Sequence, residues 1–469
     1  MKRAVSISFY LLLSLCHSIS LAVNMPPVFA DGMVLQRNSE VSFWGDADPN
    51  ERIIINASWS EKSFATVADN HGAWRINVAT TSEGGPYSVT VSGSKDMISI
   101  DDVLLGEVWL CSGQSNMAFR ILIMQDYEEE LKNFNYPEVR LYSSGRGAAT
   151  YPKKEIRGEW ISLDRATPEH SAIPALFGRE LYIRLGVPIG ILNVSYPGSS
   201  NEAWLPEDQI ADLDKPMAIL EEARNGADKW GGSIPSGLFN AMLNPVIPYG
   251  IRGVAWYQGE DNASHPSTYH LLLSRLISSW RELFNNRKLP FIICQLSGYQ
   301  SQFDMRWVAI QEIQGKIQDE FEGVYTIPTY DIGLPDNIHP KNKQEVVRRM
   351  VSVTESEVYG HRRRDALPPV IKQIKKGRSS IRLSFSNATE WKKTEDADLH
   401  NFEIAGKDGI FKPANARIAG RKKVVVWNED IEDPQDVRYA FKPFNADVNF
   451  FNSNSMPVLP FRTDNYPLY

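Results

Sequence analysis

A chain of 469 residues, 42% hydrophobic and 23% charged, is long enough for roughly three domains around a large core. Its formal charge of −7 excludes the basic face that nucleic-acid binding needs, so no nucleic acid is expected as a partner. The N-terminus has the pattern of an export leader. Lys2 and Arg3 precede the apolar run Val5 to Leu15, and Ser20-Leu21-Ala22 offers a small-x-small cleavage site. Residues 1–22 therefore read as a signal peptide, giving an exported product, periplasmic or secreted, with no membrane span in the mature chain. Cys16 follows Leu15, which is too large for the residue that precedes a lipid-modified cysteine, so soluble export is preferred to lipid anchoring.

Residues 23–104 carry short alternating runs such as Val41-Ser42-Phe43-Trp44-Gly45 and Tyr87-Ser88-Val89-Thr90-Val91, separated by Asp, Asn, Gly and Pro. That period predicts a β-rich N-terminal domain. From 105 to 365 the rhythm changes to strands alternating with helices, as in a mostly parallel sheet covered on both faces. Strands are predicted at Glu107–Cys111, Gly190–Ser195, Gly253–Tyr257, Phe291–Leu296 and Gly323–Thr329. The clearest helix is Leu271–Phe284, with Leu272, Leu276, Trp280 and Leu283 on one face. The basic run His361 to Arg364 and the pair Pro368-Pro369 read as a solvated linker. Alternation then returns over 366–469, predicting a second β-rich region. Beyond the leader, Cys111 and Cys294 sit in apolar strand-like runs and read as buried thiols, and nothing has metal-site spacing. The sequence carries no signal of oligomeric state.

Chemistry concentrates at Gly106 to Met117, where an apolar strand enters a small-residue turn and delivers Ser115. A serine hydroxyl is a weak nucleophile, so it needs exposure at a tight corner, a nearby base and N–H groups aimed at the oxyanion. Gly113 and Gln114 read as that turn, and Asn116 and Met117 as the start of a helix behind it. Among the histidines beyond the leader, His339 stands out because Asp336 lies three residues ahead on a predicted turn, able to hold Nδ1–H and leave Nε2 for the serine proton. His265, in a loop beside Asp261, is the rival base. Gly198 in Ser195 to Trp204 could bring its N–H to an oxyanion, and Gln258 at another strand end could add its side-chain amide. Trp204 and Trp230 suit sugar stacking if exposed.

The Gly113-Gln114-Ser115-Asn116-Met117 block, the Trp256-Tyr257-Gln258-Gly259-Glu260 block and the Asp336-Asn337-Ile338-His339-Pro340 block, in this order, resemble the sialate O-acetylesterase family, within the carbohydrate-acetylesterase branch of the SGNH hydrolases. The likeness extends from Met33-Val34-Leu35-Gln36 to Pro460-Phe461-Arg462-Thr463-Asp464. The resemblance implies an α/β fold, with an SGNH-type three-layer α/β/α domain, a mostly parallel sheet and flanking sandwich-like β regions. It implies Ser115 as nucleophile, His339 as base and acid, and Asp336 as orienting carboxylate. It further implies an oxyanion hole from Ser115, Gly198 and Gln258, with no metal or organic cofactor. Gln114, Asn116, Glu260 and Trp204 are candidates for substrate contact. The expected reaction is removal of acetyl groups from sialic acid, with acetylated xylan or pectin as the alternative. A non-catalytic carbohydrate-binding protein is a further reading, which the intact Ser115, Asp336 and His339 set opposes. Two departures bear on substrate preference: Gly198-Ser199-Ser200 replaces Gly-Gly-Thr, and Asp261 replaces a serine.

Overall fold

The computed structural model of the chain describes residues 22–226, 231–300, 302–392 and 398–468. The expected leader up to residue 21, with Cys16, and Trp230 lie outside the described residues. No helix among the described residues is long and apolar enough to cross a membrane.

The N-terminal region forms short strands. Glu40–Asp46 pairs antiparallel with Ala73–Ala79, and Arg52–Ala57 lies between Ser63–Val67 and Gly84–Ser92. The strand expected at Glu107–Cys111 is much longer: β1 runs Met97–Gly113. Its first part pairs antiparallel with Gly84–Ser92, Leu104–Gly106 pair with Val34–Gln36, and Glu107–Gly113 continue into the central sheet. N-terminal and central strands thus belong to one hydrogen-bonded sheet.

The other central strands are β2 (Val139–Ser144), β3 (Gly158–Ser162), β4 (Ile189–Ser195), β5 (Gly253–Tyr257), β6 (Phe291–Cys294) and β7 (Val324–Ile327). Their order is β7-β6-β5-β1-β4-β2-β3, every pair parallel except β2 with β3. The edge pair β2 and β3 has no counterpart among the predicted strands. Its half-polar sequence lacks the continuous apolar run that marks β5 and β6. Four helices matter for the layers: α1 (Ala172–Leu185), α2 (Tyr269–Leu283), α3 (Met305–Lys316) and α4 (Lys343–Val353). The pleat alternates side chains between two cores. Trp109, Cys111, Ile191, Ala255 and Ile292 face α1 and α4, whereas Val108, Leu110, Leu192, Trp256 and Ile293 face α2 and α3. This is the three-layer α/β/α arrangement of SGNH-type esterases. Cys111 and Cys294 are free and buried on strands either side of β5, and burial pushes both thiols up.

After the exposed run His361 to Arg364, two four-stranded antiparallel sheets enclose a separate core with Leu383, Phe385, Phe402, Val426 and Tyr439. The N-terminal region instead shares its core with the α2 and α3 side of the central sheet. The Tyr330 hydroxyl joins the central layers to the C-terminal core by donating to Val458 O at 2.8 Å.

Candidate active site

β1 ends between β4 and β5, and its last residue fixes the corner. Gly113 has φ 129°, and a Cβ there would sit 2.1 Å from the Tyr257 carbonyl oxygen, so only glycine permits this approach. Gln114 N–H donates to that carbonyl at 2.9 Å, and the Gln114 carbonyl accepts from Met117 N and Ala118 N at 3.0 and 2.9 Å. The Gln114 side-chain oxygen accepts from Gly259 N and Asp261 N at 3.3 and 3.4 Å, so it staples the β1 and β5 loops together. Asn116 and Met117 form turns rather than the expected helix, so no helix N-terminus stands behind Ser115. The tight 117→114 and 118→114 bonds close the corner before a helical repeat begins.

The loop between β7 and α4 brings His339 to this corner, with Nε2 2.8 Å from Ser115 Oγ. Burial, and then the Lys343 ammonium, hold the imidazole below its ordinary 6.5, favouring the neutral ring that can accept a proton. Asp336 is the main departure from expectation. It is exposed, and no hydrogen bond or ion pair joins it to the ring. The turn is organised instead by Asn337, whose Oδ1 accepts from His339 N at 2.8 Å. Asp336→Asn is therefore expected to reduce kcat less than about tenfold, whereas loss of a carboxylate orienting the ring would cost on the order of 10^4-fold. Steady-state hydrolysis of p-nitrophenyl acetate separates the two outcomes.

Gly198 lies on an exposed turn after β4 with φ 64°. Among the described residues neither its N–H nor that of Ser115 has an internal acceptor. The departure at Ser199 stiffens this turn: its hydroxyl donates to Tyr196 O at 2.9 Å and accepts from Trp204 Nε1 at 3.0 Å. Gln258 does not offer its amide to the site. Its Nε2 donates to Ser199 O at 3.1 Å and Asn262 Oδ1 at 2.7 Å, so both hydrogens are engaged. The orientation is fixed from outside, because Asn262 Nδ2 must donate to the Glu202 carboxylate at 2.9 Å, leaving Oδ1 as acceptor. Glu202 also pairs with His265 Nε2 at 2.9 Å and raises that imidazole, so the rival base is held away from Ser115.

Three candidates for substrate contact are withdrawn inside. Trp204 is fully buried, edge-on to Trp256 with ring centroids 6.1 Å apart, and is core rather than sugar platform. Asn116 is fully buried with Nδ2 on Glu260 Oε1 at 2.6 Å and Oδ1 accepting from Lys343 Nζ at 2.6 Å. Glu260 is buried too, and desolvation pushes its carboxyl up. Lys343 had no part in the sequence-based site, because lysine at a helix start ordinarily reads as solvated. What does open at Ser115 is a pocket of about 300 Å³ lined also by Phe119, Arg120, Arg146, Pro197, His339 and Lys341, with no carboxylate among the described residues of its wall. Arg120 pairs with Glu169, while the exposed Arg146 and Lys341 side chains have no ion pair among the described residues. Asp261 lines a neighbouring cleft with His265 and Lys215 instead.

Residues 105–350 match the family described as carbohydrate esterase, sialic acid-specific acetylesterase. The chain is 28% identical over 370 residues to a human sialate O-acetylesterase, covering 70% of each chain. It is 26% identical over 500 residues to the mouse protein of that name, covering 92% of each. Among solved structures, the crystal structure of a carbohydrate acetylesterase from Xanthomonas citri superposes with a TM-score of 0.86 at 30% identity, over 95% of this chain and all (100%) of that one. The central sheet, the Ser115 corner and these likenesses agree: the chain belongs to the sialic acid-specific acetylesterase family of carbohydrate esterases, and it is a carbohydrate acetylesterase.

Proposed function

We propose that the protein removes acetyl groups from O-acetylated sialic acid through a serine acyl-enzyme, and that it works outside the cytoplasm after loss of its leader. The observation that carries the mechanism is the 2.8 Å contact between His339 Nε2 and Ser115 Oγ at the mouth of an open pocket. Ser115 Oγ attacks the acetyl carbonyl while His339 Nε2 takes the hydroxyl proton. The C–O bond to the sugar then breaks, and His339 returns the proton to the leaving sugar oxygen. Water, deprotonated by the same nitrogen, attacks the acyl carbon, the bond to Ser115 Oγ breaks to release acetate, and His339 returns the proton to Ser115 Oγ. The Ser115 and Gly198 N–H groups, without internal acceptors among the described residues, are the proposed oxyanion donors, each worth roughly 10^2–10^3 in kcat. Export rests on the basic, apolar and small-residue order of residues 2–22.

The pocket wall favours an acidic sugar. Arg120, Arg146 and Lys341 stand around Ser115, and a carboxylate is the group such donors recognise. Xylan offers them no charge. Acetate release is expected to be faster from O-acetylated sialic acid than from acetylated xylan. Arg146→Ala with Lys341→Ala should raise KM for the sialate at least about tenfold, from loss of charge-assisted hydrogen bonds, while hydrolysis of neutral p-nitrophenyl acetate stays within about twofold. Preference for xylan, or an unchanged sialate KM in the double variant, would refute the acidic-sugar reading.

A further inference from the structure

A row of three buried side chains lies behind the nucleophile corner. Lys343 and Asn116 are 0% exposed and Glu260 5%. Lys343 Nζ donates to Asn116 Oδ1 at 2.6 Å, and Asn116 Nδ2 donates to Glu260 Oε1 at 2.6 Å and to the Ile338 carbonyl at 3.1 Å. Asn116 follows Ser115 directly, and Ile338 directly precedes His339. One carboxamide, with every hydrogen and its oxygen engaged, therefore ties the nucleophile turn to the histidine loop.

Physical chemistry disfavours the cation that holds it. Lys343 opens α4, where the helix dipole repels positive charge, and its ammonium is removed from water, a cost that cation–π attraction to the rings of Phe119 and Tyr257 at 4.5 and 5.7 Å offsets only in part. The compensating Glu260 leaves its second oxygen without a hydrogen-bond partner among the described residues. A placement this unfavourable is hard to account for as packing alone, since an apolar side chain of similar length would fill the space. What the ammonium does that an apolar chain cannot is fix the direction of the Asn116 carboxamide.

We propose that Lys343 is a positioning residue for ester hydrolysis, locking Asn116 so that Ser115 and His339 keep their contact, and placing a positive charge behind the imidazole. The inference rests on the serine mechanism proposed above. The titratable groups facing the ammonium are Glu260 and Tyr257 from β5 and its loop, Cys294 from β6 and His339, with Asp261 adjoining Glu260. Burial pushes Lys343 itself down to about 7, against the pull of Glu260. Burial and then this charge lower His339, so the acid limb of kcat/KM, where the base becomes protonated, is expected below the ordinary imidazole range in the intact protein.

Lys343→Met in the full chain tests this with p-nitrophenyl acetate. Expected are a fall in kcat of about 10- to 100-fold, a KM changed less than about twofold, and an acid limb moved upward toward the ordinary imidazole value. If the lone Glu260 charge unfolds that variant, Lys343→Met/Glu260→Gln removes both charges and carries the same expectations. A folded variant, single or double, with the wild-type kcat and acid limb overturns the proposal, including when only its melting temperature has dropped. Ser115→Ala run alongside separates the layers. Activity in that variant defeats the serine reading itself, whereas an inactive Ser115→Ala beside a wild-type-like Lys343→Met defeats this inference alone.

Discussion

Ser115→Ala is expected to lower kcat for acetyl-ester hydrolysis by on the order of 10^4–10^6, with folding stability changed by no more than about 0.5 kcal/mol. The asymmetry follows from geometry. The Ser115 hydroxyl is half-buried and touches His339 Nε2, so its removal leaves an imidazole nitrogen that water can reach and no orphaned donor in the core. The corner around it does not depend on the hydroxyl, since it is closed by backbone bonds at Gln114, Met117 and Ala118. Acetate release, a thermal melt and labelling by a serine-directed fluorophosphonate measure the three quantities. Substantial acetate release from the alanine variant would remove Ser115 from the mechanism.

The second large effect is expected two residues upstream, where nothing reacts. Gly113→Ala places a methyl 2.1 Å from the Tyr257 carbonyl oxygen at a φ of 129° that L side chains rarely adopt. Either β1 and β5 part at their carboxyl ends or the corner rebuilds. Both outcomes lose the Gln114 N–H bond to Tyr257 O and move Ser115 off His339. The expected destabilisation is about 3–5 kcal/mol by urea unfolding, with at least about a 100-fold loss of kcat in whatever remains folded. Gly198→Ala is the internal control, because a Cβ there meets nothing within 4 Å among the described residues and the left-handed conformation costs only about 1–2 kcal/mol. Equal stability of the two variants would mean that Gly113 does not hold the corner.

The contact between Ser115 and His339 could be anticipated from the sequence, because a strand-end corner and a turn before a helix leave local marks and the two need only be near each other. β5 and β6 were legible because burial on both faces demands unbroken apolar runs, and β4 and β7 because their runs are mostly apolar. The misread residues share a cause of another kind. Gln258, Asn116, Glu260 and Asp336 are polar at suggestive places, but residue type does not say which neighbour consumes each hydrogen bond. Gln258 is oriented by Glu202 through Asn262, and Asn116 by Lys343, partners distant in the chain. Asp336 is exposed with no bond to the His339 ring, and the turn is closed by the carboxamide of the adjacent Asn337. Trp204 reads the same from sequence whether it faces sugar or Trp256.

The 17-residue strand β1 makes the nucleophile the tip of a beam anchored at its other end in the N-terminal region. The proposed boundary between 104 and 105 consequently falls where Leu104–Gly106 are still laddered to Val34–Gln36. Architectures change there, but the covalent and hydrogen-bonded path does not pause. A fragment trimmed to the family-matched segment 105–350 would expose raw strand edges and open the core that Val108 and Leu110 share with Val34 and Phe43. The front module is not luggage that can be unhitched, and an engineer seeking a minimal catalyst should keep it and look elsewhere for residues to discard.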